Sequence, residues 1–246
     1  MLNGKIILIT GATSGLGWRF AKIMAEQGGS IIVTGRRTER LDALCDEIKS
    51  EGGQAAGYRL DVTDYEQIKD IIDRAEREVG PIDVLVNNSG MNREGFALEV
   101  TPEDFDATIN TNLKGAFFMA TEVGRRMVER ECGSIINIAS VGANRVLPGL
   151  SVYCMSKAGI AQMTRVLARE WARPKVNVNA ICPGYIETEL NSEWFHSEGG
   201  EKQIKSWPRR RLMEEESLDG MVLFLASDQG RFTTGSVLTV DDGQYI

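Results

Sequence analysis

Short runs of aliphatic and β-branched residues alternate along this chain with longer stretches in which apolar positions recur every three or four residues. That alternation predicts successive strand–helix–strand units and hence a parallel sheet. Lys5 to Thr10 reads as a first strand, Gly15 to Gln27 as the helix after it with Gly28-Gly29 as its stop, and Ser30 to Thr34 as a second strand. A second helix is expected from Thr38, its N-cap, to Ser50. Strands follow at Gln54 to Leu60 and Ile82 to Val86, separated by a charged amphipathic helix from Asp64 to Glu78 that Gly80-Pro81 breaks. Thr101-Pro102-Glu103-Asp104 has the chemistry of a helix start: a capping hydroxyl, proline at the first position, and acids facing the positive end of the dipole. That helix is expected to extend, with some irregularity, to about Arg130. Ser134 to Ala139 reads as a fifth strand, Ser151 to Ala172 as a helix, and Val176 to Ile181 and Val237 to Val240 as the last two strands. Along Ser151 to Leu167, small and apolar residues lie nearly all round the helix, which fits either a subunit interface or a thick core.

The turn after the first strand, Thr10-Gly11-Ala12-Thr13-Ser14-Gly15-Leu16-Gly17, has the form of a phosphate pocket. Its glycines let the backbone turn tightly and approach a ligand, and the N–H groups and dipole of the helix that follows favour negative charge. No Gly-Lys-Ser/Thr follows, which excludes an ATP-type phosphate loop. The second strand ends Thr34-Gly35-Arg36-Arg37, with the nearest acid at Glu39. An acid here would bond a free ribose 2′-hydroxyl, whereas arginine pairs with a 2′-phosphate, so the expected cofactor is NADP(H) rather than NAD(H). Solvation of both arginines, or pairing of Arg37 with Asp42, is the competing reading. Asp61-Val62 after the third strand is placed to meet an adenine amino group, and Asn88-Ser89-Gly90 forms a polar turn on the edge where parallel sheets bind ligands.

Tyr153 and Lys157 are four residues apart, about one helical turn, so on a helix the phenol and ammonium share a face, where a positive charge lowers a tyrosine pKa. Tyr65 and Lys69 have the same spacing. What separates the pairs is the position thirteen residues upstream: Ser140 before Tyr153, but Gly52, with no side-chain donor, before Tyr65. A neighbouring donor matters because reducing a carbonyl builds negative charge on its oxygen, which needs hydrogen bonds and then a proton.

Composition narrows the alternatives. With 246 residues the chain can bury a large core, and no linker or repeat divides it, so one domain over residues 1–246 is expected. A net charge of -7 argues against a nucleic-acid partner despite Arg209-Arg210-Arg211. The apolar runs fall short of the roughly 18 residues of a membrane span, and the N-terminus lacks the pattern of a secretory signal, so no membrane partner and a cytoplasmic location are expected. Four scattered cysteines without a C-x-x-C pair suggest packed thiols and no metal site. His196 is the only histidine and sits in a polar, glycine-flanked stretch, unsuited to a Ser-His-Asp hydrolase.

Taken in order, the glycine turn, Asn88-Ser89-Gly90, Ser140, Tyr153-x-x-x-Lys157 and Pro183-Gly184 make the whole chain resemble the short-chain dehydrogenases/reductases. The resemblance implies a Rossmann-like, doubly wound α/β fold: a seven-stranded parallel sheet with helices on both faces, usually in a homotetramer, with a dimer as the smaller assembly. It implies Tyr153 as acid/base, Lys157 as its activator and ribose ligand, Ser140 as the donor to a substrate carbonyl, and Asn112 as holder of a water in a proton relay. Pro183, Gly184, Ile186 and Thr188 would close over the nicotinamide, with a substrate lid at about 185–213; within it Trp194, Phe195 and Trp207 supply either an apolar wall or surface packing of the lid, and Arg209 to Arg211 either meet an anion or are solvated. Two departures stand out: Ser89 where the family usually has alanine, and Asp241-Asp242-Gly243-Gln244 where many members have Asp-Gly-Gly. The expected activity is NADP(H)-dependent reduction of a small or medium ketone to a secondary alcohol. A 3-oxoacyl-[acyl-carrier-protein] reductase, gripping its carrier through Arg125, Arg126 and Arg130, and a non-catalytic NADP-binding regulator are the alternatives.

Overall fold

The computed structural model describes residues 1–187 and 191–246. Its strands are β1 (Ile6–Thr10), β2 (Ser30–Gly35), β3 (Gln54–Arg59), β4 (Val84–Asn87), β5 (Gly133–Ile138), β6 (Val176–Pro183) and β7 (Val237–Val240). They form one seven-stranded parallel sheet in the order β3-β2-β1-β4-β5-β6-β7. The helices are α1 (Gly15–Glu26), α2 (Thr38–Ser50), α3 (Tyr65–Glu78), α4 (Pro102–Ile109), α5 (Ala116–Arg130), α6 (Ser151–Glu170), α7 (Ser192–Phe195), α8 (Glu198–Ser206) and α9 (Asp219–Ala226).

Strand side chains alternate between two cores. Ile7, Ile9, Ile31, Val33 and Val86 face α1, α2 and α9. Leu8, Ile32, Leu85, Ile135 and Val178 face α3, α5 and α6. With both faces covered, the central strands carry continuous apolar runs, Ile6 to Ile9 in β1, Ile31 to Val33 in β2 and Val84 to Val86 in β4, as a parallel sheet requires. Each fully buried aliphatic side chain contributes on the order of 1.5–3 kcal/mol relative to exposure. β1 lies between β2 and β4, so the connections out of β1 and β3 leave in opposite directions and open a crevice at the C-terminal strand ends, where such sheets bind ligands.

Several boundaries differ from the pattern-based expectation. β4 begins two residues late, because Asp83 uses its carboxylate to accept the Ile6 N–H at 2.8 Å. β6 runs on through Cys182 and Pro183, which pair with Thr239 and Val240 of β7. The long helix expected from Thr101 is interrupted: α4 gives way to a π-helical turn, Asn110–Gly115, before α5. The lid, expected as the least regular region, contains α7 and α8, the latter capped by the Ser197 hydroxyl accepting from the Gly200 N–H at 3.2 Å. No described helix is long and apolar enough to cross a membrane.

Candidate active site

The glycine turn joins β1 to α1 at the crevice. Gly11 takes φ +66°, and a Cβ there would lie 2.8 Å from the Ser89 Cα; one on Gly17 would lie 2.5 Å from the Gly11 oxygen. Both positions are therefore closed to side chains. At Gly15, φ +53°, a Cβ would meet nothing within 4 Å, so the space before the α1 N-terminus is open. Ser14 makes no side-chain cap bond and the first turn carries no acid, leaving the leading N–H groups and the positive dipole end for an anion. This donor set fits a cofactor diphosphate.

The turn is braced from behind. Thr10 Oγ1 accepts from the Asn88 and Ser89 N–H groups, both at 3.0 Å, while Asn88 Nδ2 donates to the Thr10 and Gly11 carbonyls at 3.0 and 3.1 Å. Leu16 packs against the core, and Thr13 is buried. Arg37 donates to Thr13 Oγ1 and, at 2.8 Å, to Ser14 Oγ, so it holds the turn rather than pairing with Asp42. Arg40 reaches the Thr13 carbonyl at 3.2 Å and lies over Trp18. Arg36 is exposed and makes no hydrogen bond or ion pair among the described residues. It acts on Asp61, which sits just beyond β3. Burial alone would raise that carboxyl, but hydrogen bonds from Thr63 and the charges of Arg36 and Arg59 outweigh it and hold Asp61 below the ordinary range. Next to it, the Val62 oxygen would lie 2.7 Å from a Cβ on Gly115, so the π-helical turn packs directly on this loop.

Ser140 follows β5, and Tyr153 and Lys157 lie in the first two turns of α6. Ser140 Oγ accepts from the Gly142 N–H at 3.1 Å, and its side chain is near enough to the Tyr153 hydroxyl to oppose the rise in the phenol pKa. Lys157 is buried, donates to the Ile138 carbonyl at 2.8 Å and stands 5.6 Å from the Tyr153 ring centroid. Asn112, fully buried in the π-helical turn, accepts from the Met91 N–H at 2.8 Å and donates to the Met91 carbonyl and to Ser156 Oγ at 2.9 and 3.0 Å. Ser156 in turn donates to the Tyr153 carbonyl at 2.7 Å. Asn112 Oδ1 and Lys157 Nζ each lie 3.5 Å from where a Cβ of Gly90 would stand, so Gly90 leaves the gap between them.

Burial pushes the Tyr153 phenol up, and the Ser140 side chain opposes the shift. The ammonium points at the Ile138 carbonyl, and burial pulls it down to about 8. The Tyr65–Lys69 pair does something else: Tyr65 donates to Glu122 at 2.7 Å and Lys69 pairs with Glu66 at 3.3 Å.

At the far side, Gly184 follows β6 so closely beneath Asp241 and Gln244 that a Cβ would collide with both. Ile186 is buried and bridges to Met213; Thr188 lies outside the described residues. Tyr185 stacks on Trp207 at 5.3 Å and meets Phe195 edge-on at 5.5 Å, while Trp194 is exposed and donates to Gln203. Two of the three expected aromatic residues therefore join one wall, and Tyr185, which the sequence reading did not single out, is its centre. The departure from Asp-Gly-Gly has a visible use: Asp242 receives Arg209 at 2.6 Å and Arg211 at 2.7 Å. Those two arginines are thus paired within the chain instead of awaiting an anion. Asp242 takes φ 49°, the left-handed region that glycine occupies more easily. Among the described residues no group of histidine, cysteine and acidic side chains could hold a metal ion.

The family model described as enoyl-(acyl carrier protein) reductase matches residues 11–244. The chain is 38% identical to the 3-oxoacyl-[acyl-carrier-protein] reductase FabG of Thermotoga maritima, over 100% of this chain and 99% of that protein. It is 35% identical to the gluconate 5-dehydrogenase of Gluconobacter oxydans, covering 98% and 95%. Among solved structures, a gluconate 5-dehydrogenase from Burkholderia cenocepacia in complex with NADP and tartrate superposes with a TM-score of 0.95 at 35% identity, covering 99% of this chain and 96% of the other. An actinorhodin polyketide ketoreductase with NADPH gives 0.93 at 30% identity, covering 99% of both. With the parallel sheet, the open glycine turn and the Ser140–Tyr153 contact, these matches place the chain in the short-chain dehydrogenase/reductase family of nicotinamide-dependent oxidoreductases.

Proposed function

We propose that this protein is an NADP(H)-dependent oxidoreductase that interconverts a small or medium ketone and its secondary alcohol, with residues 1–246 acting as one unit and about 185–213 as its lid. The observation that carries this reading is the grouping of Ser140, after β5, with Tyr153 and buried Lys157 on α6, the ammonium 5.6 Å from the phenol ring and the Ser140 side chain near enough to oppose the burial-driven rise of the phenol pKa. A bound nicotinamide supplies the hydride donor or acceptor. Ser140 donates a hydrogen bond to the carbonyl oxygen, and Tyr153 gives that oxygen its proton. Lys157 contributes positive charge behind the phenol and binds the ribose, while Asn112, pinned by Met91 and Ser156, holds the relay water. Gly11, Thr13, Ser14, Gly15, Leu16 and Gly17 surround the diphosphate, Asp61 and Val62 border the adenine, and Asn88, Ser89 and Gly90 line the cofactor floor. Pro183, Gly184 and Ile186 would cover the nicotinamide end; Thr188, expected to join them, lies outside the described residues. Unpaired Arg36 favours a 2′-phosphate, and NADP or NADPH occupies two of the structural neighbours.

The alternative, a 3-oxoacyl-[acyl-carrier-protein] reductase, draws support from the FabG relative. It loses support at the surface that would grip an acidic carrier. Arg126 is paired with Asp73, Glu76 and Glu122, Arg130 with Glu76, and Arg125 with Glu122. The deciding experiment is a panel of ketones, secondary alcohols and a 3-oxoacyl thioester, assayed with NADPH/NADP and NADH/NAD. Turnover of simple ketones with NADPH is expected; activity confined to the thioester would transfer the assignment to the carrier-protein reductase.

The expected homotetramer or dimer has a candidate surface. Phe105, Phe117, Met155 and Val166 on α4, α5 and α6 are all exposed. We propose that a second copy covers them, since a chain with this much apolar surface on adjacent helices gains by burying it. Phe117→Glu places a charge in that contact and is expected to shift the protein to monomers in light scattering, without loss of helical circular dichroism. A wild-type protein that already runs as a monomer would refute the interface.

A further inference from the structure

The C-terminal segment is bound to the substrate side of the crevice by several independent contacts. Gln244 is buried and clamps the Tyr185 backbone, accepting from its N–H at 2.7 Å and donating to its carbonyl at 3.1 Å. Asp242 ties the same segment to the lid through Arg209 and Arg211. These bonds set the Tyr245 ring against Tyr185, with centroids 6.3 Å apart and the Tyr245 hydroxyl donating to the Tyr185 hydroxyl at 3.4 Å. Tyr185 in turn is fixed by Trp207 and Phe195. Its own O–H proton has no acceptor among the described residues, although a phenol has one donor and two acceptor sites.

Tyr185 follows the end of β6, which pairs with β5, and the end of β5 leads to Ser140, so the phenol pair stands on the reaction-centre edge of the sheet. Tyr185 is near enough to Tyr153 to help raise its pKa, and Tyr245 is near enough to Cys154, the next residue on α6, to feel it in the same way. Burial, then Tyr185, pushes the Tyr245 phenol far above the ordinary tyrosine value, so it stays a neutral hydrogen-bonding group across the physiological range. Tyr185 and Tyr245 thus set two polar tips into an aromatic wall beside the acid/base residue. An acyl chain would leave the Tyr185 O–H without an acceptor, whereas a substrate hydroxyl would accept from it.

We propose that Tyr185 and Tyr245 form a hydroxyl-binding subsite, and that the preferred substrate is a polyhydroxylated ketone or its polyol, bearing a hydroxyl a few bonds from the reacting carbon. This rests on the ketone-reductase reading above. The test uses two four-carbon ketones that differ in hydroxylation, L-erythrulose and 2-butanone, with the full-length enzyme and NADPH. For the wild type, kcat/KM for L-erythrulose is expected to exceed that for 2-butanone by about tenfold or more, and Tyr245→Phe or Tyr185→Phe to lower that ratio by roughly 3- to 10-fold, mainly through KM. Each change removes one oxygen and keeps the ring, and thermal unfolding verifies that the variant remains folded. A wild-type preference for 2-butanone, or ratios in the variants within about twofold of wild type, would overturn the subsite and leave the reductase reading standing. If no ketone is reduced at all, the reductase reading fails, and calorimetry of threitol binding to the protein–NADP complex decides the subsite separately. Binding weakened by Tyr245→Phe supports it, and no binding or equal binding refutes it.

Discussion

Tyr153→Phe is expected to reduce carbonyl-dependent NADPH oxidation by about a thousandfold or more while leaving the Kd for NADPH within about twofold. The substitution removes one oxygen, the one whose pKa the Ser140 side chain holds down, and keeps the ring beside Lys157. Neither the histidine nor the lysine is placed to take over. His196 lies in the lid, where its ring meets Glu187 at 2.9 Å, and the Lys157 ammonium is directed at the Ile138 carbonyl. Loss of the proton donor leaves charge on the substrate oxygen with only the Ser140 hydroxyl to meet it, so the loss falls on kcat. Fluorescence titration with NADPH together with steady-state kinetics separates the two constants. Near-normal turnover in the variant would rule out the proposed chemistry, and loss of NADPH binding would reassign Tyr153 to cofactor positioning.

Arg36→Ala is expected to weaken NADPH by roughly 10- to 100-fold and NADH by no more than about twofold, the range set by losing charge-assisted hydrogen bonds to a phosphate. The adjacent arginine supplies the contrast. Arg37 is committed to Thr13 and Ser14, so removing it loosens the phosphate turn itself and is expected to weaken both cofactors alike. Dissociation constants for both cofactors with both variants give four numbers. Equal losses for NADPH and NADH in Arg36→Ala would show that Arg36 is only solvated.

Much of the fold was legible because a parallel sheet covered on both faces imposes a repetitive pattern. Ile7, Leu8 and Ile9 are apolar in a row since two different cores demand it. The phosphate turn was legible for a related reason: the close approach of Ser89 to Gly11 and of the Gly11 oxygen to Gly17 leaves room for no side chain, so the glycines appear in the chain itself. Other features depend on contacts distant in sequence and leave no local mark. Nothing near Arg37 announces Thr13 and Ser14, and nothing near Asp242 announces Arg209 and Arg211, 33 and 31 residues away. Tyr185 carried a weak signal in its place directly after Pro183-Gly184, whereas Tyr245 carried none. The Tyr–Lys spacing pointed to the right helix face but not to the pKa direction. Spacing records which side chains are near each other, and burial, which it does not record, dominates the shift.

The wide turn at Asn110–Gly115 also bears on how such a site can change over time. A π-helical turn amounts to one extra residue in an otherwise α-helical stretch. Here it carries Asn112 toward Met91 and Ser156, and it sets the phase at which Met119, Ala120, Val123 and Met127 of α5 face the core. Removing a single residue would leave sequence still suited to a continuous helix, yet rotate everything after it by about a quarter turn. The placement of Asn112 is therefore encoded in chain length as much as in residue type, so a one-residue insertion or deletion here would displace it where a same-length substitution keeps the register.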